Sequence, residues 1–338
     1  AWGADADHLK TPESIAPFVE AGYSFYTIDP GDHVDPAADT DPAQVLRAKV
    51  EALPWTELDS TPDDLAARFL GREFDLGAQA LRFDEETLLR AAAKYGWAVA
   101  HIAQMNAALR KQMGNRAFDL EISVDETETP TSIHEHLFLA LELRRLGVEW
   151  VSLAPRFVGR FEKGVDYIGD LVALDRNLAG HAEVMRFAGG YKLSLHSGSD
   201  KFSVYPLAAR HAEGAVHVKT AGTSYLEALR VWAEVDPAAF RVVLAFARAR
   251  YEADRATYHV SANLREVPET GTLDDSALPR LLDQFAARQV LHVTFGSVLD
   301  AFGQSLRAVL HAHEGRYHTL LRDHFARHLE PFLQHEGA

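Results

Sequence analysis

The sequence contains no cysteine among its 338 residues. Disulfide bonds and thiolate zinc sites are therefore excluded, so any metal ion must be bound by His, Asp or Glu. Runs of about 18 apolar residues, which a membrane-spanning helix requires, are also missing. No signal-peptide pattern stands at the start of the chain, and we expect a cytoplasmic location.

Positive charge is scarce relative to negative charge. Lys and Arg number 34 and Asp and Glu number 49, which gives a formal net charge of −15. We therefore expect neither nucleic acid nor a membrane as a partner. A small anionic ligand would need a local cationic pocket within this negative field. The charge balance leaves homo-oligomerisation possible.

Two catalytic sequence motifs are absent. No glycine-rich dinucleotide fingerprint follows any predicted strand, so a nicotinamide cofactor is not expected. The stretch His196-Ser197-Gly198-Ser199 lacks the spacing of a nucleophile elbow, which disfavours a serine hydrolase.

Short apolar runs alternate with amphipathic helical stretches along the chain. The predicted strands are 2–7, 23–29, 118–124, 149–153, 191–196, 215–219, 257–262 and 290–295. Eight strands alternating with helices predict a single (β/α)8 TIM-type barrel over residues 1–338. A largely helical insertion at 35–115 follows the second strand, and C-terminal helices occupy 300–338.

Polar residues follow the predicted strands, where the active site of such a barrel lies. Alternation turns His196, His217 and Glu121 inward, and His8 stands at the end of the first strand. The three histidines could bind one divalent ion, with Zn, Mn, Co or Ni all suitable. Each could instead be a buried structural histidine. The candidates for a fourth ligand are Asp7, Asp125, Glu126 and Asp200.

Carboxylates at the same strand ends are candidate acids and bases. We favour Glu126 and Asp7, followed by Asp5, although helix capping would also explain Glu126. Cations at four strand ends are candidate anchors for an anionic substrate. The predicted substrate-binding residues are Lys10, Arg156, Asp200, Lys201 and Lys219.

Six runs of sequence resemble the tagaturonate epimerase family, also called tagaturonate/fructuronate epimerase. They are GADADHLKT at 3–11, VDETETP at 124–130, APRF at 154–157, FEKGVDYIGD at 161–170, LHSGSDKFS at 195–203 and HVKTAGTSY at 217–225. The resemblance implies interconversion of D-tagaturonate and D-fructuronate with a divalent metal, in uronate breakdown.

The two sugar acids differ at C4, one carbon too far from the C2 ketone for exchange of an α-proton. A retro-aldol route fits this difference, because breaking and reforming the C3–C4 bond can invert C4. It requires an acid/base group on each face of the substrate, which suits carboxylates from the first and third predicted strands.

Three alternatives remain open. An amidohydrolase-like hydrolase would need a His-x-His pair on the first strand and an Asp on the eighth, and neither is present, although the histidines on the fifth and sixth strands agree with it. A class II-type aldolase would share the first step but release two fragments. A module that binds a sugar acid without catalysis would convert nothing. Incubation with tagaturonate and metal analysis distinguish these possibilities.

Overall fold

The computed structural model describes residues 4–220, 223–269, 271 and 273–333. They divide into two compact units. The first unit comprises 4–158, 172–196 and 211–217, and the second comprises 159–171, 197–210 and the described residues from 218 onward. Each unit has its own hydrophobic core.

The described part of the chain contains eight strands. They are β1 (Asp5–Leu9), β2 (Phe25–Ile28), β3 (Glu73–Asp75), β4 (Ala80–Arg82), β5 (Asp119–Ser123), β6 (Ser152–Ala154), β7 (Lys192–Leu195) and β8 (Val216–Val218). Six of them form one sheet in the order β1-β2-β5-β6-β7-β8. The pairings from β1 to β7 are parallel, whereas β3 and β4 form an antiparallel pair.

Helices connect these strands and make up most of the second unit. They are α1 (Ala16–Glu20), α2 (Ala43–Glu51), α3 (Pro62–Phe69), α4 (Glu85–Met113), α5 (Ile133–Arg145), α6 (Leu171–Phe187), α7 (Tyr205–His211), α8 (Ser224–Val235), α9 (Pro237–Asp254), α10 (Phe285–Val293), α11 (Phe295–Ala312) and α12 (Glu314–Leu333). Among the described residues, no helix combines the length and the apolar character that crossing a membrane requires.

Strand β5 illustrates how alternation places polar groups in the sheet. Leu120 and Ile122 are buried in the core of the first unit, and successive side chains of a strand point to opposite faces. Glu121 and Ser123 therefore share the other face, and both are buried as well. A carboxylate in the middle of a buried strand needs hydrogen-bonding partners, and the site described below supplies them.

The predicted insertion at 35–115 is helical for most of its length. It contains α2, α3 and the long α4, together with the antiparallel pair β3–β4. Helix α4 begins after Asp84, whose side chain accepts a hydrogen bond from the backbone N–H of Thr87, and it ends at Gly114 with φ of 58°. These are ordinary signals for starting and ending a helix.

The structure confirms six of the predicted strands and an α/β fold, but it does not confirm the full eight-stranded barrel. Residues 290–293 belong to α10, and residues 258–263 form no strand in the described structure. A short apolar run such as Val290-Leu291-His292-Val293 does not distinguish a strand from a buried helix. Here the side chain of Gln284 caps α10, and Val290, Leu291 and Val293 pack into the core of the second unit.

Candidate active site

Strand β1 brings two consecutive polar side chains to one place because its pairing is irregular. The register of β1 against β2 shifts between Ala6 and Leu9, and His8 within this segment has φ of 51°. Such a bulge interrupts the alternation of side chains and redirects them. Asp7 and His8 therefore lie side by side, although neighbours in a regular strand face opposite ways.

His196 follows β7 directly and contacts both of these residues. Its Nε2 lies 3.1 Å from Nε2 of His8 and 3.4 Å from Oδ1 of Asp7. Potential ligand atoms of Asp7, His8 and His196 all lie within 4.8 Å of one another. Two imidazole nitrogens and one carboxylate oxygen form a donor set that suits Zn, Mn, Co or Ni.

Each of these two histidines has a buried carboxylate at its Nδ1. Asp29 Oδ2 lies 3.0 Å from Nδ1 of His8, and Glu121 Oε1 lies 2.8 Å from Nδ1 of His196. An ionised carboxylate only accepts hydrogen bonds, so in each neutral ring Nδ1 carries the proton. The Nε2 lone pairs of the two rings then face each other. Carboxylates hold metal-binding histidines in this way.

Electrostatics around His8 favour a cation. The hydrogen bond with Asp29 raises the pKa of His8 above its ordinary value despite partial burial, and Asp7 and Glu126 add to this effect. Burial raises the pKa of Asp29, but the hydrogen bonds from His8 and from the Gly31 N–H outweigh it and hold that pKa low. Asp29 is therefore ionised and accepts the His8 proton.

Sequence reasoning did not include Asp29 and Glu121 among the candidate site residues. Alternation turns Glu121 inward, and Asp29 is the last residue of the second predicted strand. The signal that could have selected them is a carboxylate at an inward or terminal strand position with no cation close by in sequence. Such a group must find donors elsewhere in the fold.

Glu126, a predicted acid/base, lies in the loop after β5 beside the cluster. Its Oε1 is 3.8 Å from Nε2 of His8, and 47% of its side chain is exposed. A carboxylate in this position can exchange a proton with a bound ligand. The neighbouring Asp125, a candidate fourth ligand, accepts a hydrogen bond from Ser123 at 2.5 Å, and within the described residues it is not grouped with Asp7, His8 and His196.

His217 is placed differently from its predicted role as a third histidine ligand. Its Nδ1 lies 2.5 Å from Oε2 of Glu121 and 3.1 Å from Oγ of Ser152. Within the described residues, the structure groups Asp7 rather than His217 with His8 and His196. Glu121 therefore connects His217 to His196 without placing His217 in the cluster.

Comparison with known proteins shows which family this chain belongs to. A model of the tagaturonate epimerase family matches residues 1–332. The chain belongs to the tagaturonate epimerase family. The resemblance recognised from the six sequence runs is confirmed.

Relatives in this family support the assignment along nearly the whole chain. The tagaturonate/fructuronate epimerase of Thermotoga maritima is 42% identical over 331 residues, which are 97% of this chain and 67% of that protein. Crystal structures of a fructuronate-tagaturonate epimerase from Cohnella laeviribosi, native and with glycerol, superpose with TM-scores of 0.92 at 37% and 38% identity. Each match covers 98% of this chain and 68% of that chain.

Two of the predicted substrate anchors of this family member lie in the first unit. Nε of Arg156 donates to the Thr127 carbonyl at 3.2 Å, which leaves the terminal nitrogens of the guanidinium as donors for a ligand. Nζ of Lys10 lies 3.2 Å from Asp32 and 3.7 Å from Asp29. Burial lowers the pKa of Lys10, but these two carboxylates outweigh it and raise that pKa above its ordinary value.

Lys201 in the second unit has a different environment from the one predicted. Its Nζ donates to the backbone carbonyls of Glu162, Val165 and Ser199 at 2.9, 2.6 and 2.9 Å. Three acceptors use all three ammonium protons. Burial lowers the pKa of Lys201 to about 8. This geometry indicates a structural role for Lys201 rather than contact with substrate. Lys219, which directly follows β8, is half-buried.

Asp200 is also committed to internal contacts. Its Oδ2 accepts from Arg288 at 2.8 Å, and it forms a second buried group with His324 and His328. The backbone N–H of Asp200 donates to Nε2 of His328, whose Nδ1 donates to the His324 carbonyl. Both ring nitrogens of His328 are therefore engaged, and this group does not resemble a metal site. The predicted contact of Asp200 with substrate is likewise not favoured by this geometry.

Proposed function

We propose that this chain interconverts D-tagaturonate and D-fructuronate by inverting C4, with a divalent metal ion. The observation that carries the proposal is the pair of facing nitrogens, Nε2 of His8 and Nε2 of His196, 3.1 Å apart. Membership of the tagaturonate epimerase family supplies the substrate pair. The small anionic sugar acid is then the partner that the cationic strand ends would recognise.

The donor set fits a divalent ion. Two neutral imidazoles whose lone pairs face each other repel unless a cation lies between them, and the carboxylate of Asp7 beside them adds negative charge. His8, His196 and Asp7 would hold the ion, and it would supply Lewis-acid stabilisation of negative charge on a substrate oxygen.

The proposed reaction is a retro-aldol cleavage followed by re-addition. A base takes the proton of the C4 hydroxyl, the C3–C4 bond breaks, and its electron pair passes to the three-carbon ketone fragment as an enediolate. C4 becomes an aldehyde, rotates about its bond to C5 and offers its other face. The C3–C4 bond then reforms, and an acid returns the proton to the C4 oxygen.

Glu126 is the candidate for proton transfer on one face of the substrate. It stands next to His8 without belonging to the cluster, and its exposure leaves it accessible to a ligand. For the opposite face we propose Asp7, whose side chain is 51% exposed. Asp7 is also a proposed ligand of the ion, and the Asp7→Asn variant separates the two roles. Lost activity with unchanged metal affinity supports proton transfer by Asp7, whereas lost metal affinity supports its role as a ligand.

Holding the carboxylate of the aldehyde fragment keeps that fragment in place while C4 turns. Arg156 is the proposed anchor, because a guanidinium can grip a carboxylate with two parallel hydrogen bonds. Lys10 ranks second as a candidate anchor, because its ammonium is already paired with the carboxylates of Asp29 and Asp32.

The test is incubation of the purified protein with D-tagaturonate in deuterated water, followed by NMR. The protein is first stripped with a chelator and then supplied with Zn, Mn, Co or Ni separately. We expect D-fructuronate to form only after metal is restored, and to carry no deuterium at C4. Conversion by the stripped protein contradicts metal dependence. Deuterium at C4 contradicts the retro-aldol route, and accumulation of free three-carbon fragments would indicate an aldolase.

A further inference from the structure

Glu121 is a buried carboxylate that binds two histidines at once. Its Oε1 lies 2.8 Å from Nδ1 of His196, and its Oε2 lies 2.5 Å from Nδ1 of His217. The hydroxyl of Ser152 also donates to Oε2, at 2.6 Å. Glu121 is fully buried, so these groups satisfy its oxygens where water does not reach.

The chemistry of a carboxylate determines where the protons of both rings lie. Several donors directed at one carboxyl group favour its ionised form. An ionised carboxylate has no proton to give, so Nδ1 of His196 and Nδ1 of His217 must both be donors. In the neutral rings, Nε2 of each histidine then carries a lone pair.

We propose that Glu121 is a positioning residue that fixes the tautomers of His196 and His217 together. Through His196 it presents an unprotonated Nε2 to Asp7 and His8. For His217 it leaves Nε2 able to accept a proton or a hydrogen bond. The assignment of tautomers rests only on contacts within the first unit, whereas its consequence for metal binding rests on the proposed function.

Replacement by glutamine has an asymmetric consequence. The amide has one oxygen, which accepts, and one NH2 group, which only donates. Two donors, Ser152 and His217, lie on the Oε2 side, so the amide oxygen belongs there and the NH2 group faces His196. Nδ1 of His196 must then accept, and its proton moves to Nε2. A protonated Nε2 cannot bind a metal ion.

A purely structural role makes a different prediction. If Glu121 only filled space, the nearly isosteric Glu121→Gln change would leave the tautomer of His196 unchanged. The Ser152→Ala variant is the matched control, because it removes one donor to the same oxygen and leaves the carboxylate intact. Both histidines should therefore keep their proton on Nδ1 in that variant.

The experiment is ¹⁵N NMR of histidine ring nitrogens in the chelator-treated protein, with His196→Gln and His217→Gln spectra used for assignment. We expect both rings to be protonated on Nδ1 in the unmodified chain and in Ser152→Ala. In Glu121→Gln we expect His196 alone to shift its proton to Nε2, and the dissociation constant for Mn²⁺ by calorimetry to rise about 10- to 100-fold.

The unmodified chain by itself can overturn the proposal, even if Glu121→Gln does not fold. A His196 or His217 ring that carries no proton on Nδ1 there contradicts it, as does an unchanged His196 in a folded Glu121→Gln protein. Absence of epimerase activity would contradict the proposed function instead and would leave the tautomer result as it stands.

Discussion

Nε2 of His8 and Nε2 of His196 lie 3.1 Å apart, although 187 residues separate the two histidines in the chain. Asp29 and Glu121 accept the Nδ1 protons of these rings, so rotating either ring would break its hydrogen bond to a buried carboxylate. The hydrogen bonds to these two carboxylates therefore hold the unprotonated Nε2 atoms of His8 and His196 close together. A proton or a metal ion relieves this close approach, and the nearby Asp7 favours the doubly charged ion.

Replacing Glu126 by Gln should lower kcat and leave metal binding nearly unchanged. The amide keeps the size of the side chain but cannot take a proton, and general base catalysis typically contributes about 10²- to 10⁴-fold. Steady-state kinetics and calorimetric titration with Mn²⁺ measure the two effects. Glu128→Gln, an exposed change in the same loop, is the control. An equal decrease of kcat in both variants would contradict a role of Glu126 in proton transfer.

The Arg156→Lys variant should bind its substrate more weakly while the chemical step is largely preserved. Lysine keeps the charge but loses the paired hydrogen bonds to a carboxylate. A charge-assisted hydrogen bond contributes about 1.5–3 kcal/mol, which corresponds to a rise in KM of about 10- to 100-fold. The control is Arg186→Lys, at a position that donates to the backbone carbonyl of His211. An unchanged KM in Arg156→Lys contradicts the anchoring role.

Lys94→Met should destabilise the first unit strongly. Nζ of Lys94 is buried and contacts Asp39, Glu135 and the Pro130 carbonyl. Its loss leaves the buried Glu135 without its cation, and breaking a buried pair in this way costs about 3–5 kcal/mol. The free energy of unfolding in urea measures the change.

Lys49→Met is the matched control for that experiment. Lys49 also contacts two carboxylates, Asp35 and Asp41, but its side chain is 29% exposed. A solvent-accessible pair contributes less, so we expect a loss of about 1 kcal/mol or less. Similar losses in the two variants would show that burial of Lys94 does not determine its contribution.

Two buried histidines away from the cluster should make the protein sensitive to acid. Nδ1 of His136 lies 2.9 Å from Nδ1 of His181, and the Tyr191 hydroxyl lies 2.6 Å from Nε2 of His136. Burial lowers the pKa of His181 to about 3 and that of His136 well below its ordinary value. Both rings are therefore neutral in the folded protein at pH 7.

The direction of the pH effect follows from these lowered values. Below about pH 6.5, His181 is protonated in the unfolded chain but stays neutral in the folded protein. The free energy of unfolding therefore decreases as pH falls from about 6.5 toward 3. His181 alone corresponds to roughly 2 kcal/mol between pH 7 and pH 5. Urea unfolding at both pH values should show a smaller loss in His181→Leu. The exposed change His318→Leu should leave the loss as in the unmodified chain, and an equal loss in both variants contradicts this assignment.

Sequence alone predicted the residues that a regular strand or its end determines. Alternation turned Glu121, His196 and His217 inward, but it specifies a face of the strand and not the height along it. His196 lies just beyond β7, whereas His217 lies within β8, and His217 therefore contacts Glu121 rather than joining the cluster. The bulge that places Asp7 beside His8 depends on pairing with β2, which no local pattern reveals.

Tertiary contacts decided the remaining positions. Lys201 looked like a substrate anchor because a cation near a strand end needs a partner, and three backbone carbonyls turned out to be that partner. The run at 290–293 joined a helical core that the sequence pattern did not separate from a strand. In both cases the local sequence admits two environments, and only packing selects one.

The most direct test of metal-dependent epimerisation at the cluster measures bound metal and conversion of D-tagaturonate in the same samples. These are the unmodified chain, His8→Gln, His196→Gln and the control His211→Gln, whose histidine pairs with Asp175. We expect the unmodified chain and the control to bind a divalent ion and form D-fructuronate, and both cluster variants to lose the ion and the activity together. Full conversion by His196→Gln without bound metal would contradict this expectation.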